Sequence, residues 1–213
     1  MTPERERLYR AGVVPVLTIG SVAEAVPLAK ALVNGGLDVV EITLRTPCAA
    51  EAISEIVKAD LGCYVGVGTV LTSADVTLAE STGADFIVTP ATPPSLVKPL
   101  SEFEGLVIPG VSTPGEALTL NDAGFDLLKF FPAEAAGGAA MLKSLSAPLP
   151  GLSFMPTGGI KTANLKSYLS LPNVIAAGGS WISSTDQQAK GDWAAIEATA
   201  KSTHQLVSEL RGH

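Results

Sequence analysis

The chain has 213 residues, of which 46% are hydrophobic and 16% are charged, and its mean hydropathy is +0.35. This composition predicts a large buried core and excludes an intrinsically disordered chain. The formal net charge is −7 and the sequence contains no basic cluster, so we expect no nucleic-acid partner and no binding to an anionic membrane surface.

The sequence also bears on where the protein works. The N-terminus is highly charged with no apolar segment behind it, and no apolar run approaches the roughly 20 residues of a membrane helix. The two cysteines, Cys48 and Cys63, do not have the spacing of metal ligands, and we interpret them as reduced thiols. We therefore expect a cytoplasmic protein.

Strand-like and helix-like segments alternate along the chain. After a short exposed helix predicted over residues 2–11, apolar strand-like runs occur at 13–19, 39–43, 64–68, 86–89, 106–109, 127–131, 153–156 and 173–177. The segments between them have helix length, with apolar residues three and four positions apart. Eight such units predict an α/β fold, a single (β/α)8 TIM barrel over residues 1–213 with a short N-terminal helix. An open doubly wound sheet is the alternative.

Lys129 lies inside the apolar run of residues 127–132. Of the nine lysines in the chain, it is the only one within a predicted apolar strand. Removing an ammonium group from water is costly, so a buried lysine usually has a reason to be there. A neutral amine in an apolar site is a nucleophile that can form a Schiff base with a carbonyl compound. The alternative is a lysine at a strand edge with its ammonium group in solvent.

Three polar residues of the second predicted strand, Glu41, Thr43 and Arg45, share one face because side chains alternate along a strand. Glu41 and Lys129 both lie on even-numbered strands, so they can occupy the same layer inside a barrel. This arrangement predicts an acid–base carboxylate beside a nucleophilic amine, with a structural ion pair as the alternative. Arg45 is the only arginine in the body of the chain, and it suits the binding of a substrate carboxylate.

Glycines follow three of the predicted strands. Thr69 comes after Gly66 and Gly68 and offers a hydroxyl group at the barrel mouth, although an ordinary turn fits the spacing equally well. Pairs of glycines also follow the seventh strand, at 158–159, and the eighth, at 178–179. Bare amides in these two positions predict a phosphate site. Carboxylates and histidines at metal-binding spacing are absent from the sequence, which disfavours a metal-dependent mechanism.

Five motifs together resemble one enzyme family. They are VEITLRT at 40–46, GVGTV at 66–70, KFFPAE at 129–134, PTGGI at 156–160 and GGSW at 178–181. In this order and spacing they resemble the 2-keto-3-deoxy-6-phosphogluconate (KDPG) aldolases, a family that also acts on 4-hydroxy-2-oxoglutarate (KHG). The resemblance extends from about residue 13 to residue 181. One departure is Ala91, where the family often has glycine, which leaves the shape of the fourth loop open.

The resemblance implies a class I aldolase, free of metal and cofactor, that forms pyruvate and glyceraldehyde 3-phosphate on a homotrimeric barrel. It implies that Lys129 is the Schiff-base lysine and Glu41 the general acid and base. The substrate-binding residues that it implies are Arg45 and Thr69 at the pyruvate part, Thr157 for stereochemical discrimination, and Pro90 and Phe131. The phosphate-binding residues that it implies are Gly158, Gly159, Gly179 and Ser180.

Three other functions are alternatives at this point. The 6-phosphogalactonate epimer of the substrate differs at a single hydroxyl group, and the sequence does not discriminate between the two. A phosphosugar isomerase or epimerase would share the phosphate loops but would not need a lysine in a strand. A barrel that binds a sugar phosphate without catalysis is the third alternative.

Overall fold

The computed structural model describes residues 1–212, so the predicted domain of residues 1–213 extends one residue further, to His213, which lies outside the described residues. The strands are β1 Val13–Leu17, β2 Val39–Thr43, β3 Tyr64–Gly68, β4 Phe86–Val88, β5 Leu106–Ile108, β6 Gly110–Val111, β7 Leu127–Phe130, β8 Ser153–Pro156 and β9 Ala177–Gly179. The helices are α1 Pro3–Ala11, α2 Val22–Asn34, α3 Ala49–Lys58, α4 Ser73–Thr82, α5 Pro94–Glu102, α6 Pro114–Asp122, α7 Gly138–Leu145, α8 Thr162–Leu169, α9 Thr185–Ala189 and α10 Trp193–Arg211.

All strand pairs are parallel, and they form two sheets. One sheet has six strands in the order β5-β4-β3-β2-β1-β9, and the other has three in the order β6-β7-β8. Only Pro109 separates β5 from β6, and the isolated bridge between Thr157 and Gly178 joins the segment after β8 to β9. The predicted α/β fold with parallel strands is confirmed, whereas the two sheets are not one continuous ring of eight strands.

Two predicted strands differ most from those observed, and three others end one or two residues earlier than predicted. The predicted run 106–109 is interrupted at Pro109, which has no N–H to donate, and pairing resumes over Gly110–Val111. The predicted run 173–177 is displaced toward the C-terminus, because only Val174 bridges to β8 and the ladder with β1 begins at Ala177. The strand ends therefore depend on pairing partners that the local pattern does not reveal.

Successive side chains of each strand point to opposite faces of the sheet, and both sets are buried. One face contributes to an inner cluster that includes Val39, Phe86, Leu127 and Met155. The opposite face packs against the helices and belongs to a larger cluster. Both faces are covered, as expected of parallel strands. Within this alternation, Glu41 and Lys129 each lie two residues after an inner-cluster member and therefore face inward.

Helix α1 covers the amino ends of the strands. The sequence predicted an exposed helix, but Leu8 and Ala11 of α1 are buried in the inner cluster. Arg5 pairs with Asp126, which precedes β7, and Arg7 pairs with Asp38, which precedes β2. The prediction was wrong for one face of α1, because charged residues dominate its sequence while Leu8 and Ala11 pack against the strands.

Gly66 of β3 is required by the ring of Phe86 in the neighbouring strand. A methyl group at Gly66 would lie 2.6 Å from the Cδ2 atom of that ring. Because packed cores do not expand freely, we expect Gly66→Ala to lower the free energy of unfolding by about 2 kcal/mol. Urea denaturation measures this change.

The matched control for that substitution is Gly115→Ala. Gly115 lies in the first turn of α6, where an added methyl group would meet no atom within 4 Å. Alanine also favours helix formation, so this variant should be at least as stable as the parent. Equal stability of the Gly66 and Gly115 variants would contradict the proposed steric role of Gly66.

Candidate active site

Lys129 and Glu41 form a buried ion pair between the two sheets. The Nζ atom of Lys129, on β7, donates a hydrogen bond of 2.9 Å to Oε1 of Glu41, on β2. Lys129 is 4% exposed and Glu41 is 0% exposed. The predicted approach of these two side chains is confirmed. Solvent screens the pair little, so each charge stabilises the other strongly.

Gly68 makes room for the carboxylate of Glu41. A methyl group at Gly68 would lie 2.7 Å from Cγ and 2.8 Å from Cδ of Glu41. Real side-chain atoms do not approach so closely, so any larger residue would displace the carboxylate. The GVG sequence of β3 therefore has two separate functions, since Gly66 accommodates the core ring of Phe86 and Gly68 accommodates the charged pair.

Two buried oxygen atoms at the carboxyl ends of the strands have no hydrogen-bond partner within residues 1–212. They are Oε2 of Glu41 and Oγ1 of Thr157. Thr157 follows β8 and packs against Gly178, where a methyl group would lie 2.9 Å from its Cγ2 atom. Buried polar atoms are nearly always paired, so two unpaired ones in one region indicate a place for a polar ligand.

Three other predicted substrate-binding residues follow the carboxyl ends of their strands. The ring centroid of Phe131 lies 5.6 Å from Nζ of Lys129, a cation–π distance. Arg45 is exposed two residues after β2 and has no ion-pair partner within the described residues. Thr69 is half-buried directly after β3 and has a φ of 61°, a left-handed conformation that is rare outside glycine and often found at functional sites.

Pro90 and Phe131 also line a cavity of about 590 Å³ at the carboxyl ends of β4, β6 and β7. Pro90 is half-buried, and a methyl group at Gly110 would lie 2.5 Å from its carbonyl oxygen. Ala91, the departure from the family pattern, is exposed in this loop, so its methyl group needs no space in the core.

The glycine pairs adopt backbone conformations that other residues rarely reach. Gly158 and Gly159 have φ values of 100° and 78°, and the loop leads into α8. The backbone N–H groups of residues 158–160 donate to no acceptor within the part of the chain that the structure describes. Gly179 is buried in β9, where a methyl group would lie 2.6 Å from the Cη2 atom of the Trp181 ring, and Ser180 is exposed after it. Free amides before a helix provide a site for an anion.

The sequence did not predict three polar contacts near the site. The hydroxyl group of Thr43 donates a hydrogen bond to the carbonyl of Leu17 and lies 3.1 Å from the hydroxyl group of Thr18. The phenol of Tyr168, on α8, donates a short hydrogen bond to the carboxylate of Glu134. Burial, followed by that hydrogen bond, raises the pKa of Tyr168. The KFFPAE motif contained Glu134, but nothing in the sequence pairs it with a residue 34 positions away.

Two general properties of the described chain also concern function. No group of three or more histidine, cysteine, aspartate or glutamate side chains within residues 1–212 could hold a metal ion. No helix over the same residues has the length and apolarity needed to cross a membrane.

The buried pair makes a prediction about stability. Replacing Lys129 with methionine leaves the Glu41 carboxylate buried without a partner, so we expect the free energy of unfolding to fall by about 3 kcal/mol. Adding Glu41→Gln removes the remaining charge and should restore most of the loss. Urea denaturation of the single and double variants measures both effects.

An exposed pair of the same length provides the control. Lys58 lies 2.9 Å from Glu55 on the surface of α3. Because solvent screens such pairs, Lys58→Met should leave the urea midpoint unchanged. A Lys129→Met variant as stable as Lys58→Met would show that the buried charges are not coupled.

Comparisons with known proteins agree with this geometry. The sequence model of the family described as KDPG and KHG aldolase matches residues 5–199. The chain is 40% identical over 205 residues to 2-dehydro-3-deoxy-phosphogluconate aldolase of Treponema pallidum (strain Nichols), covering 96% of this chain and 98% of that protein. It is 42% identical over 189 residues to KHG/KDPG aldolase of Escherichia coli (strain K12), covering 89% of each chain.

A solved structure is similar over nearly the whole chain. The crystal structure of KDPG aldolase from Legionella pneumophila, with pyruvate captured at low pH as a covalent carbinolamine intermediate, has a TM-score of 0.90 and 36% identity. The match covers 94% of this chain and 98% of that one. The family model and these relatives span the buried pair and both glycine loops. The chain is a member of the KDPG and KHG aldolase family of class I lyases.

Proposed function

We propose that this protein cleaves 2-dehydro-3-deoxy-6-phosphogluconate to pyruvate and glyceraldehyde 3-phosphate, and 4-hydroxy-2-oxoglutarate to pyruvate and glyoxylate. The single observation that carries the proposal is the buried contact of 2.9 Å between Lys129 and Glu41. It combines a nucleophilic amine with a carboxylate that can exchange protons with it. The names of the relatives, which refer to phosphogluconate, favour this substrate over its galactonate epimer.

Lys129 is the proposed Schiff-base residue. Proton transfer along its hydrogen bond to Glu41 yields the neutral amine, which attacks the C2 carbonyl of the substrate. Glu41 then returns this proton to the hydroxyl group of the carbinolamine, which leaves as water, so that an iminium ion forms at C2 and Glu41 is a carboxylate again. This cation accepts the electron pair of the C3–C4 bond when that bond breaks, and an enamine of pyruvate remains on Lys129.

Glu41 is the proposed acid and base of the same steps. Its Oε1 atom contacts Lys129, while Oε2 has no partner within the described residues and is free to accept the proton of the C4 hydroxyl group. Removal of that proton drives formation of the aldehyde. Protonation of the enamine at C3 and hydrolysis of the imine then release pyruvate and regenerate the amine.

The remaining residues are proposed to orient the substrate, mainly by binding its two anionic ends. The exposed guanidinium group of Arg45 and the hydroxyl group of Thr69 hold the pyruvyl carboxylate. The free amides around Gly158 and Gly159, with Gly179 and Ser180, hold the phosphate. Thr157 has an unpaired hydroxyl group, which contacts the hydroxyl groups of the substrate. Pro90 and Phe131 limit the access of water.

The proposal extends to architecture and setting. The two sheets are proposed to act as one closed eight-stranded barrel in a single domain, because β5 and β6 are separated only by Pro109 and an isolated bridge joins β9 to the segment after β8. Two free cysteines, Cys48 and Cys63, support a cytoplasmic location. We also propose a homotrimer, so light scattering should give three times the chain mass of 21.8 kDa.

Borohydride trapping tests the proposed chemistry. Incubation with pyruvate followed by borohydride should reduce the imine to a stable adduct, and peptide mass spectrometry should locate it on Lys129. The Lys129→Met/Glu41→Gln double variant is the control, because its buried site is neutral and it should fold without forming an adduct. An adduct on another lysine, or none on the parent protein, would refute the proposal.

Glu41→Gln separates imine formation from bond cleavage. Glutamine can still contact Lys129 but cannot accept a proton, so we expect slow trapping with pyruvate and a loss of about 100-fold or more in kcat for cleavage. Steady-state release of pyruvate measures kcat. Turnover of Glu41→Gln near that of the parent would exclude Glu41 as the base. Parallel assays on the gluconate and galactonate epimers, with equal or higher kcat/KM for galactonate, would overturn the substrate assignment.

A further inference from the structure

The loop after β7 and the loop after β8 are bound to each other. The backbone N–H of Ala133 donates to the carbonyl of Thr157 at 2.7 Å, and that of Glu134 donates to the carbonyl of Gly158 at 3.1 Å. The first loop continues from the strand of Lys129, and the second contains the glycines of the proposed phosphate site. These contacts therefore set the separation between the two ends of the substrate site.

The side chain of Glu134 lies directly against Gly159. A methyl group at Gly159 would lie 2.6 Å from Cγ and 2.8 Å from Cβ of Glu134. The carboxylate accepts a hydrogen bond from the phenol of Tyr168, which is fully buried in α8. Tyr168 thereby fixes both the position of the Glu134 side chain and the direction of its charge.

Glu134 is exposed and lies beside the glycine loop, so its negative charge can affect an anion bound there. A carboxylate beside free amides competes for the same N–H groups as a phosphate, and two anions in one site repel each other. A hydrogen bond from the buried phenol of Tyr168 holds the carboxylate against α8. The position of this negative charge beside the glycine loop therefore depends on that bond.

We propose that Glu134 and Tyr168 are positioning residues for the phosphate end of the substrate. Tyr168 keeps the Glu134 carboxylate turned away from the amides of residues 158–160, and the Glu134 side chain packs against Gly159. Neither residue contacts the reacting atoms. This inference rests on the proposed phosphate site, and it adds a determinant of selectivity for phosphorylated over unphosphorylated substrates.

Tyr168→Phe tests the inference by releasing the carboxylate. We expect KM for the phosphorylated substrate to rise about tenfold, because a hydrogen bond to a charged group is lost and an anion becomes free to compete. For 4-hydroxy-2-oxoglutarate, which has no phosphate, KM and kcat should change by less than about twofold. The control is Tyr64→Phe, which removes a half-buried phenol at the opposite, amino end of β3.

The double variant Tyr168→Phe/Glu134→Gln distinguishes charge from packing. Removing the released charge should return KM for the phosphorylated substrate to within about threefold of the parent, since the repulsion is gone while the side-chain shape remains. A merely structural tyrosine would give no such recovery. The inference is overturned if Tyr168→Phe leaves KM for the phosphorylated substrate unchanged or raises KM equally for both substrates. It is also overturned if the double variant does not lower that KM again.

Failure of the underlying phosphate site has a different result. If the parent protein itself has the same KM for both substrates, the proposed phosphate site is absent and the positioning role fails with it. If the parent prefers the phosphorylated substrate and Tyr168→Phe keeps that preference, only the positioning role is wrong. Pyruvate trapping on Lys129 should be unaffected in every one of these variants, because the imine forms at the other end of the site.

Discussion

Lys129 and Glu41 bring opposite charges within 2.9 Å of each other at a place that solvent barely reaches. Such a pair rarely adds stability, because the loss of hydration of both ions offsets much of their attraction. The protein must therefore support it with the apolar clusters on both faces of the strands. A feature that adds little stability and joins residues 88 positions apart is best explained by the chemistry of the two groups.

The space for this pair depends on residues without side chains. Gly68 leaves room for the Glu41 carboxylate, and Gly178 leaves room for the hydroxyl group of Thr157. In both cases a glycine on one strand faces a polar group on its neighbour. The same arrangement serves apolar packing two residues earlier in β3, where Gly66 faces the ring of Phe86. Small residues thus determine where the polar groups of the mouth can lie.

The sequence predicted the contact between Glu41 and Lys129 better than the limits of the strands and helices. The period of two in β2, the apolar surroundings of Lys129 and the even-numbered places of both strands in the predicted barrel together predicted that Glu41 and Lys129 meet. The burial of α1 was not predictable from its charged sequence, and the five-residue helix α9 is too short to show periodicity. The contact between Glu134 and Tyr168 depends on how two loops lie against each other, which no local pattern encodes.

The two ends of the strands have opposite properties, and this difference determines how a substrate can approach. At the amino end, α1 buries Leu8 among the inner side chains, and ion pairs of Arg5 and Arg7 fasten the helix to the segments before β7 and β2. At the carboxyl end, unpaired oxygens and free amides remain. In the proposed binding mode, a substrate with a carboxylate at one end and a phosphate at the other would meet Arg45 on one side and the glycine loops on the other. Its carbonyl carbon would then lie between them, beside the only buried lysine of the described chain.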